Sequence, residues 1–285
     1  MDGIDISRWQ RYIDLAAVPS DFVIIKATQG TNYVSQPFLA QMTKAMELGK
    51  LVGVYHYCGN GGGSVPEAEH FVKTVKNYIG KAILVLDWEG EQNPNFDNPH
   101  YALAWLKYVR QLTGITPFVY MSKSVCRQYK DVWDTSFPLW CAQYKNYNQT
   151  GYQDNPWTDN KGFGAWKDCK ILQYSSKGKL VGYQGDLDLD KAYMDADEWK
   201  RWACGDIIPE KPAEKVYPIL RKGDRNQYVK AWQIFLNQNG YSCGNADGIF
   251  GKKTEKAVKA WQKVHGLVAD GIIGPLTWGS LPMMK

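Results

Sequence analysis

Asp87 and Glu89 stand two residues apart at the end of the apolar run Ile83-Leu-Val-Leu-Asp-Trp-Glu89. Residues two apart in a β-strand share a face, so both carboxyls are expected to project together while Trp88 projects away. Acids recur where other candidate strands end: Asp5 closes the first, and Asp186, Asp188 and Asp190 surround the last. Such acids have three readings. They hold a divalent metal, they are solvated surface groups, or they share the work of glycoside hydrolysis. In that reaction one protonated carboxyl donates to the leaving oxygen, and a partner stabilises positive charge at the anomeric carbon. Crowded carboxyls suit it, because a like neighbour raises one pKa and keeps that group protonated near neutral pH.

Convergence requires a frame. Short runs rich in Val, Ile and Tyr predict strands over residues 3–6, 22–27, 51–57, 82–87, 117–121, 138–143 and 170–174, with a weaker one over 187–189. Several are continuously apolar, as in a buried parallel sheet. Helical patterns fall between them, over 36–48, 66–78 and 99–112, with Ser64 and Pro66 as start signals for the second. This rhythm predicts an α/β fold, a (β/α) barrel. About 200 residues is short for eight helices, so loops are expected to replace some of them. In such a barrel, carboxyls from separate strands meet at the C-terminal rim.

Residues 205–218, with three prolines and alternating charge, read as a semi-rigid linker. The expected division is a catalytic barrel over 1–204, this linker, and a small all-α domain over 219–285. The last segment repeats itself. Val229-Lys-Ala-Trp-Gln233 recurs as Val258-Lys-Ala-Trp-Gln262, and Ala246-Asp-Gly-Ile-Phe-Gly251 as Ala269-Asp-Gly-Ile-Ile-Gly274. Asp-Gly marks a tight turn, and Thr254 and Thr277 are expected to cap the helices that follow.

Residues 216–285 hold ten Lys and Arg against four Asp and Glu, a net of +6, leaving −1 for the rest of the chain. An anionic partner is implied. Nucleic acid is not expected, since the segment carries no base-reading motif. Lys252, Lys256, Lys259 and Lys263 form a stripe opposite Ala257, Val258, Trp261 and Val264. It reads first as a solvated helix face and second as a contact for anionic wall polymers. No run approaches the ~20 apolar residues of a membrane span, so no membrane insertion is expected. Six scattered cysteines without a C-x-x-C pair, and only four histidines, argue against zinc; mostly free thiols and no metal or cofactor are expected.

The motifs Asp2-Gly-Ile-Asp-Ile-Ser, Ile25-Lys-Ala-Thr-Gln-Gly30, Gly53-Val-Tyr-His-Tyr57, Leu84-Val-Leu-Asp-Trp-Glu89, Leu139-Trp-Cys-Ala142, Leu172-Gln-Tyr-Ser175 and the closing Asp-Leu-Asp occur in order. Together they resemble the glycoside hydrolase family 25 lysozymes, the Chalaropsis-type muramidases, over roughly residues 1–202. The resemblance implies cleavage of the β-1,4 bond between N-acetylmuramic acid and N-acetylglucosamine. It also implies Glu89 as general acid, Asp87 as its partner, Asp5 as the first-strand acid and Asp188 as the last. Asp188 is chosen over Asp186 because it leaves Tyr193 at the family's aromatic position. Gln29 departs from the Glu of many relatives. Tyr57, Tyr120, Trp140 and Gln173 match positions near the sugar, although each also suits a packed core. His56, in an apolar strand, reads as a core histidine. Direct attack by Asp87 and attack by the substrate's own acetamido group both fit, and the D-x-E spacing favours the second.

Residues 216–281 resemble the three-helix peptidoglycan-binding domain attached to many wall hydrolases, which implies peptidoglycan as partner and targeting as the task. Two other readings are a barrel that binds without catalysis and a hydrolase of a related glycan such as chitin. Retention of Asp5, Asp87 and Glu89 opposes the first, and the wall-binding module opposes the second. The N-terminal Met-Asp-Gly-Ile-Asp lacks a basic region followed by an apolar run. Synthesis in the host cytoplasm without a signal peptide is therefore expected, with action on the bacterial wall as for a phage or prophage endolysin.

Overall fold

The computed structural model describes residues 1–59, 62–205 and 218–280, so all but the two ends of the expected linker lies outside it. In chain order the strands are β1 (Asp2–Ile6), β2 (Phe22–Gln29), β3 (Tyr33–Val34), β4 (Leu51–Tyr57), β5 (Ala82–Asp87), β6 (Phe118–Ser122), β7 (Leu139–Ala142), β8 (Ile171–Gly178) and β9 (Leu187–Ala192). Eight of them close into a barrel through pairing of β1 with both β2 and β9, while β3 merely extends β2 as a hairpin. All eight expected strands are present.

Four crossovers carry helices: α1 (Phe38–Glu47), α2 (Ser64–Val75), α3 (Pro99–Thr113) and the short α4 (Lys123–Gln128). Loops replace the others, most extensively over residues 143–170 between β7 and β8. One strand breaks the parallel pattern. β9 runs antiparallel to both β1 and β8. Only residues 179–186 join it to β8, fewer than the dozen or so that a parallel crossover needs, so the chain turns straight back.

Strand alternation sorts side chains into two layers. Val23, Ile25, Val54, Leu84, Leu86 and Val119 face outward into the helices. Ile24, Tyr55, Val85, Phe118, Tyr120 and Trp140 fill the barrel with α5 (Ala196–Cys204) packed against them. The indole of Trp199 lies 4.7 Å from the Phe22 ring and donates to Val52 O at 3.2 Å, and Trp202 meets Phe118 edge-on. Phe22, Val52 and Phe118 all begin their strands or lie next to the start, so α5 stoppers the N-terminal end. Among the described residues α5 leaves the C-terminal rim uncovered.

The remaining helices are α6 (Gln227–Gln238), α7 (Lys252–Val264) and α8 (Pro275–Gly279), packed around Trp232, Trp261, Leu236 and Phe250. The repeat seen in the sequence is a repeated hydrogen-bond cage. Gln233 Nε2 donates to Asp247 Oδ1, Ile249 O and Thr254 Oγ1, and Gly248 N donates to Gln233 Oε1. Gln262 does the same with Asp270, Ile272, Thr277 and Gly271. Thr254 and Thr277 are therefore cage members inside their helices, not caps; Gly251 and Gly274 take the cap positions. Ser64 is not a cap either. It lies within α2 behind Gly63, whose φ of +104° requires glycine, and its hydroxyl donates to Gly266 O at 3.4 Å. On α7 the lysine stripe is exposed and Ala257, Val258 and Trp261 are buried, but Val264 is 63% exposed and Gln262 is buried in its stead.

All six cysteines are free thiols, with only Cys204 exposed. Among the described residues no helix is long and apolar enough to cross a membrane.

Candidate active site

The C-terminal rim gathers the acids. Asp5 on β1 is opposite Asp188 on β9, and Gln173 on β8 is opposite Asp190. Across the barrel, Tyr57, Asp87, Tyr120 and Trp140 lie in register on four adjacent strands, β4 to β7, and so share the interior face. Asp87 is the last residue of β5. Glu89 follows on the loop, half-buried, while Trp88 turns outward and packs against Phe96 and Tyr101. The barrel thus brings together all eight residues singled out from the sequence.

Gln173 organises the floor. Its Nε2 donates to Asp5 Oδ2 at 2.7 Å, and its Oε1 accepts the hydroxyls of Tyr120 at 2.8 Å and Tyr144 at 2.5 Å. Trp140 Nε1 donates to Asp190 Oδ1 at 2.8 Å, so this ring is committed to a buried carboxyl while packing against Tyr120 at 4.5 Å. Asp87 Oδ1 is buried without a hydrogen-bond partner among the described residues. An orphaned acceptor at the mouth of an open barrel is suited to a donor that arrives with substrate.

Burial and mutual repulsion set the protonation pattern. Burial raises Asp5 well above the carboxylate range, and Asp190 adds to it. Burial likewise lifts Asp87, with Glu89 next in effect, while the Lys26 ammonium opposes the shift. Glu89 is raised mainly by burial; the Tyr120 hydroxyl and Lys26 pull it back. Asp188 is pushed up to about 8 by burial and by Asp5. Asp186, by contrast, faces Lys177 and Lys179 at 2.8 and 2.9 Å, which hold it below the usual range. Burial and crowding thus favour the protonated form of these carboxyls, the tendency that a general acid needs.

The loop bearing Glu89 is braced. Tyr57 donates through its hydroxyl to Glu91 O at 2.5 Å, and Gln29 Nε2 donates to Gln92 Oε1 at 3.1 Å. Gln92 has φ +57°, the one non-glycine residue with positive φ among those described. Strain of this kind persists where surroundings over-determine it. Gln29 also accepts from Lys26 Nζ at 2.9 Å, and that ammonium lies 4.3 Å from the Tyr57 ring centre. The residue that departs from the family pattern therefore links the cation to the acid loop.

Sequence reasoning did not single out Lys26 or Tyr144 as members of this constellation, and it named the buried Asp190 only as one of the acids around the last strand. Alternation from Ile24 along β2 would have placed Lys26 inside, at the mouth; Tyr144, beyond the end of β7, carried no periodic signal. His56 is fully buried on the outer layer. Its Nδ1 meets Thr28 Oγ1 and its Nε2 meets Glu67 Oε2, both at 2.8 Å, a satisfied core pair away from the acids. Among the described residues no group of three or more His, Cys, Asp or Glu is placed to hold a metal ion.

The model of Glycosyl hydrolases family 25 matches residues 4–183, and that of a peptidoglycan binding domain matches residues 225–281. The uncharacterized protein YegX of Escherichia coli K12 is 30% identical over 219 residues, covering 74% of this chain and 75% of the relative. The autolytic lysozyme of Clostridium acetobutylicum is 28% identical over 283 residues, covering 98% of this chain and 78% of the relative. Among solved structures, the bacterial lysozyme of Streptomyces coelicolor superposes with a TM-score of 0.61 at 22% identity, over 73% of this chain and 98% of that one.

Proposed function

The chain belongs to glycosyl hydrolases family 25, and on that premise we propose that it is a muramidase that cuts the β-1,4 bond between N-acetylmuramic acid and N-acetylglucosamine. The observation that carries the reading is the half-buried Glu89, whose carboxyl burial shifts toward the protonated form, two residues beyond the buried Asp87 with its unpartnered Oδ1 at the C-terminal rim of the barrel. Glu89 donates its proton to the leaving glycosidic oxygen. The substrate's acetamido oxygen attacks the anomeric carbon from the opposite side, and Asp87 accepts the acetamido N–H through its free Oδ1. Glu89, now a carboxylate, then takes a proton from the water that opens the cyclic intermediate. Asp5 and Asp188 flank the sugar, and Tyr57, Tyr120, Trp140 and Gln173 line its seat. In this account Trp140 and Gln173 act by fixing Asp190 and Asp5.

We assign residues 1–204 to catalysis, 205–218 to a linker and 219–285 to wall attachment. A tethered binding module raises the concentration of glycan at the cleft. The α7 lysines add attraction to anionic wall polymers, which weakens with salt. The pairing of a lytic barrel with a wall anchor fits a phage or prophage endolysin, and it fits a bacterial autolysin equally.

The test identifies the new reducing end. Digests of purified Gram-positive walls are reduced with borohydride, hydrolysed and assayed for muramitol and glucosaminitol. Muramitol is expected. Glucosaminitol would move the cut to the other glycosidic bond, and neither product would favour a barrel that only binds.

A further inference from the structure

Directly after β1, the chain spends four of five residues on side chains that face solvent: Arg8, Trp9, Arg11 and Tyr12. Trp9 is 75% and Tyr12 87% exposed, the two most exposed aromatic side chains among the described residues. Each ring carries a guanidinium, Arg8 at 4.8 Å from the Trp9 ring and Arg11 at 5.1 Å from the Tyr12 ring. Stacking of this kind covers one face of a ring and leaves the other open. Neither arginine has a carboxylate partner among the described residues.

The backbone under these side chains is fixed from within. Ser7 and Gln10 form a reciprocal capping box around the turn Arg8–Gln10. The buried Gln41 of α1 donates from Nε2 to both Ser7 O at 3.1 Å and Gln10 O at 3.2 Å. A buried amide thus holds in one conformation a turn whose own side chains stay exposed, so a ligand that meets them has little ordering cost to overcome. Its place is the catalytic rim: Asp5 lies three residues before Arg8, and the Arg8 charge acts on Lys26, which acts on Asp87 and Glu89.

We propose that Arg8-Trp9 and Arg11-Tyr12 form a glycan platform at the outer edge of the cleft, taking pyranose rings on the free aromatic faces and the carboxylates of attached stem peptides on the guanidinium groups. Flat apolar rings match the C–H face of a sugar, and a guanidinium matches a carboxylate in geometry and charge. The platform lies beyond the reacting bond, so it contributes uniform binding, which appears in KM and not in kcat. The inference rests on the peptidoglycan reading above.

The test compares the full chain with the Trp9→Ala/Tyr12→Ala and Arg8→Gln/Arg11→Gln pairs on three soluble substrates: long glycan strands with stem peptides, the same strands stripped of peptides, and a tetrasaccharide. The aromatic pair is expected to raise KM roughly five- to tenfold on both long substrates, with kcat within about twofold and the tetrasaccharide unaffected. The arginine pair is expected to raise KM on peptide-bearing strands only. The Trp9→Phe/Tyr12→Phe variant should restore wild-type KM, which separates loss of the rings from loss of the turn. Unchanged KM on long strands in the aromatic pair overturns the platform, and an equal arginine effect on stripped strands overturns the carboxylate assignment. Absence of muramic acid ends from the wild type would instead overturn the peptidoglycan reading.

Discussion

Gln173 Nε2 donates to Asp5 Oδ2 at 2.7 Å, joining the eighth element of the sheet to the first across 168 residues of sequence. With Tyr120 and Tyr144 both donating to Gln173 Oε1, the amide has a single orientation that satisfies all three partners. An acid at one strand end is thereby fixed by a neutral residue two strands away, across β9.

Replacing Gln173 with Leu keeps the volume and removes this link. A fall in kcat of roughly 10- to 100-fold is expected, with little change in KM, because positioning and not ground-state contact is lost. Steady-state kinetics on soluble glycan strands, with circular dichroism to confirm the fold, checks it.

Lys26 lowers the pKa of both Asp87 and Glu89. In Lys26→Met both carboxyls therefore titrate higher. The pH–rate profile should move upward as a whole, because both carboxyls then keep their protons to higher pH. A shift of about half a unit to one unit is expected. A profile that stays in place would remove Lys26 from the electrostatics of the site.

Asp188 titrates at about 8 in the folded protein against an ordinary value of 3.8. A carboxyl raised on folding stabilises fully below its unfolded pKa, and that contribution is lost as pH climbs through the folded value. Between about pH 4 and pH 8, stability should therefore decline, and Asp188→Asn should flatten the decline. At pH 8 the variant is expected to exceed wild type by roughly 1–2 kcal/mol, a discounted figure because the side chain is partly exposed. Thermal unfolding across that window measures it.

In the wall-binding module, Gln233 and Gln262 each hold one repeat through four hydrogen bonds. Alanine at either position leaves buried donors and acceptors unmet and should destabilise this module by roughly 2–4 kcal/mol. Calorimetry of the full chain should show one transition lowered, with loss of sedimentation onto walls but retention of activity on soluble fragments.

Much of this molecule is legible in the sequence, for physical reasons that also set the limits. Several barrel strands stand out because buried strands are continuous apolar runs, β9 with its alternating acids is marked only weakly, and Asp87 and Glu89 stand out because acids are conspicuous at the ends of such runs. The reversed direction of β9 is not marked by any residue; it follows from the shortness of the 179–186 connection once β8 is known to extend to Gly178. Lys26 hides because a single lysine in an apolar strand resembles an edge or a defect until neighbouring strands enclose it. Thr254 and Thr277 have cap-forming chemistry, and only the positions of Gln233 and Gln262 show that their hydroxyls are already engaged. Long-range partners of this kind leave no local periodicity to read.

Glu89 is assigned the protonation of the leaving oxygen of a muramyl bond. The most direct test of this assignment is mass spectrometry of muropeptides released from purified walls by the wild type and by Glu89→Gln, at matched folding and matched wall binding. The account predicts fragments ending in reducing N-acetylmuramic acid from the wild type and a loss of at least about a thousandfold in the variant. Release of the same fragments by Glu89→Gln at near wild-type rate would contradict it.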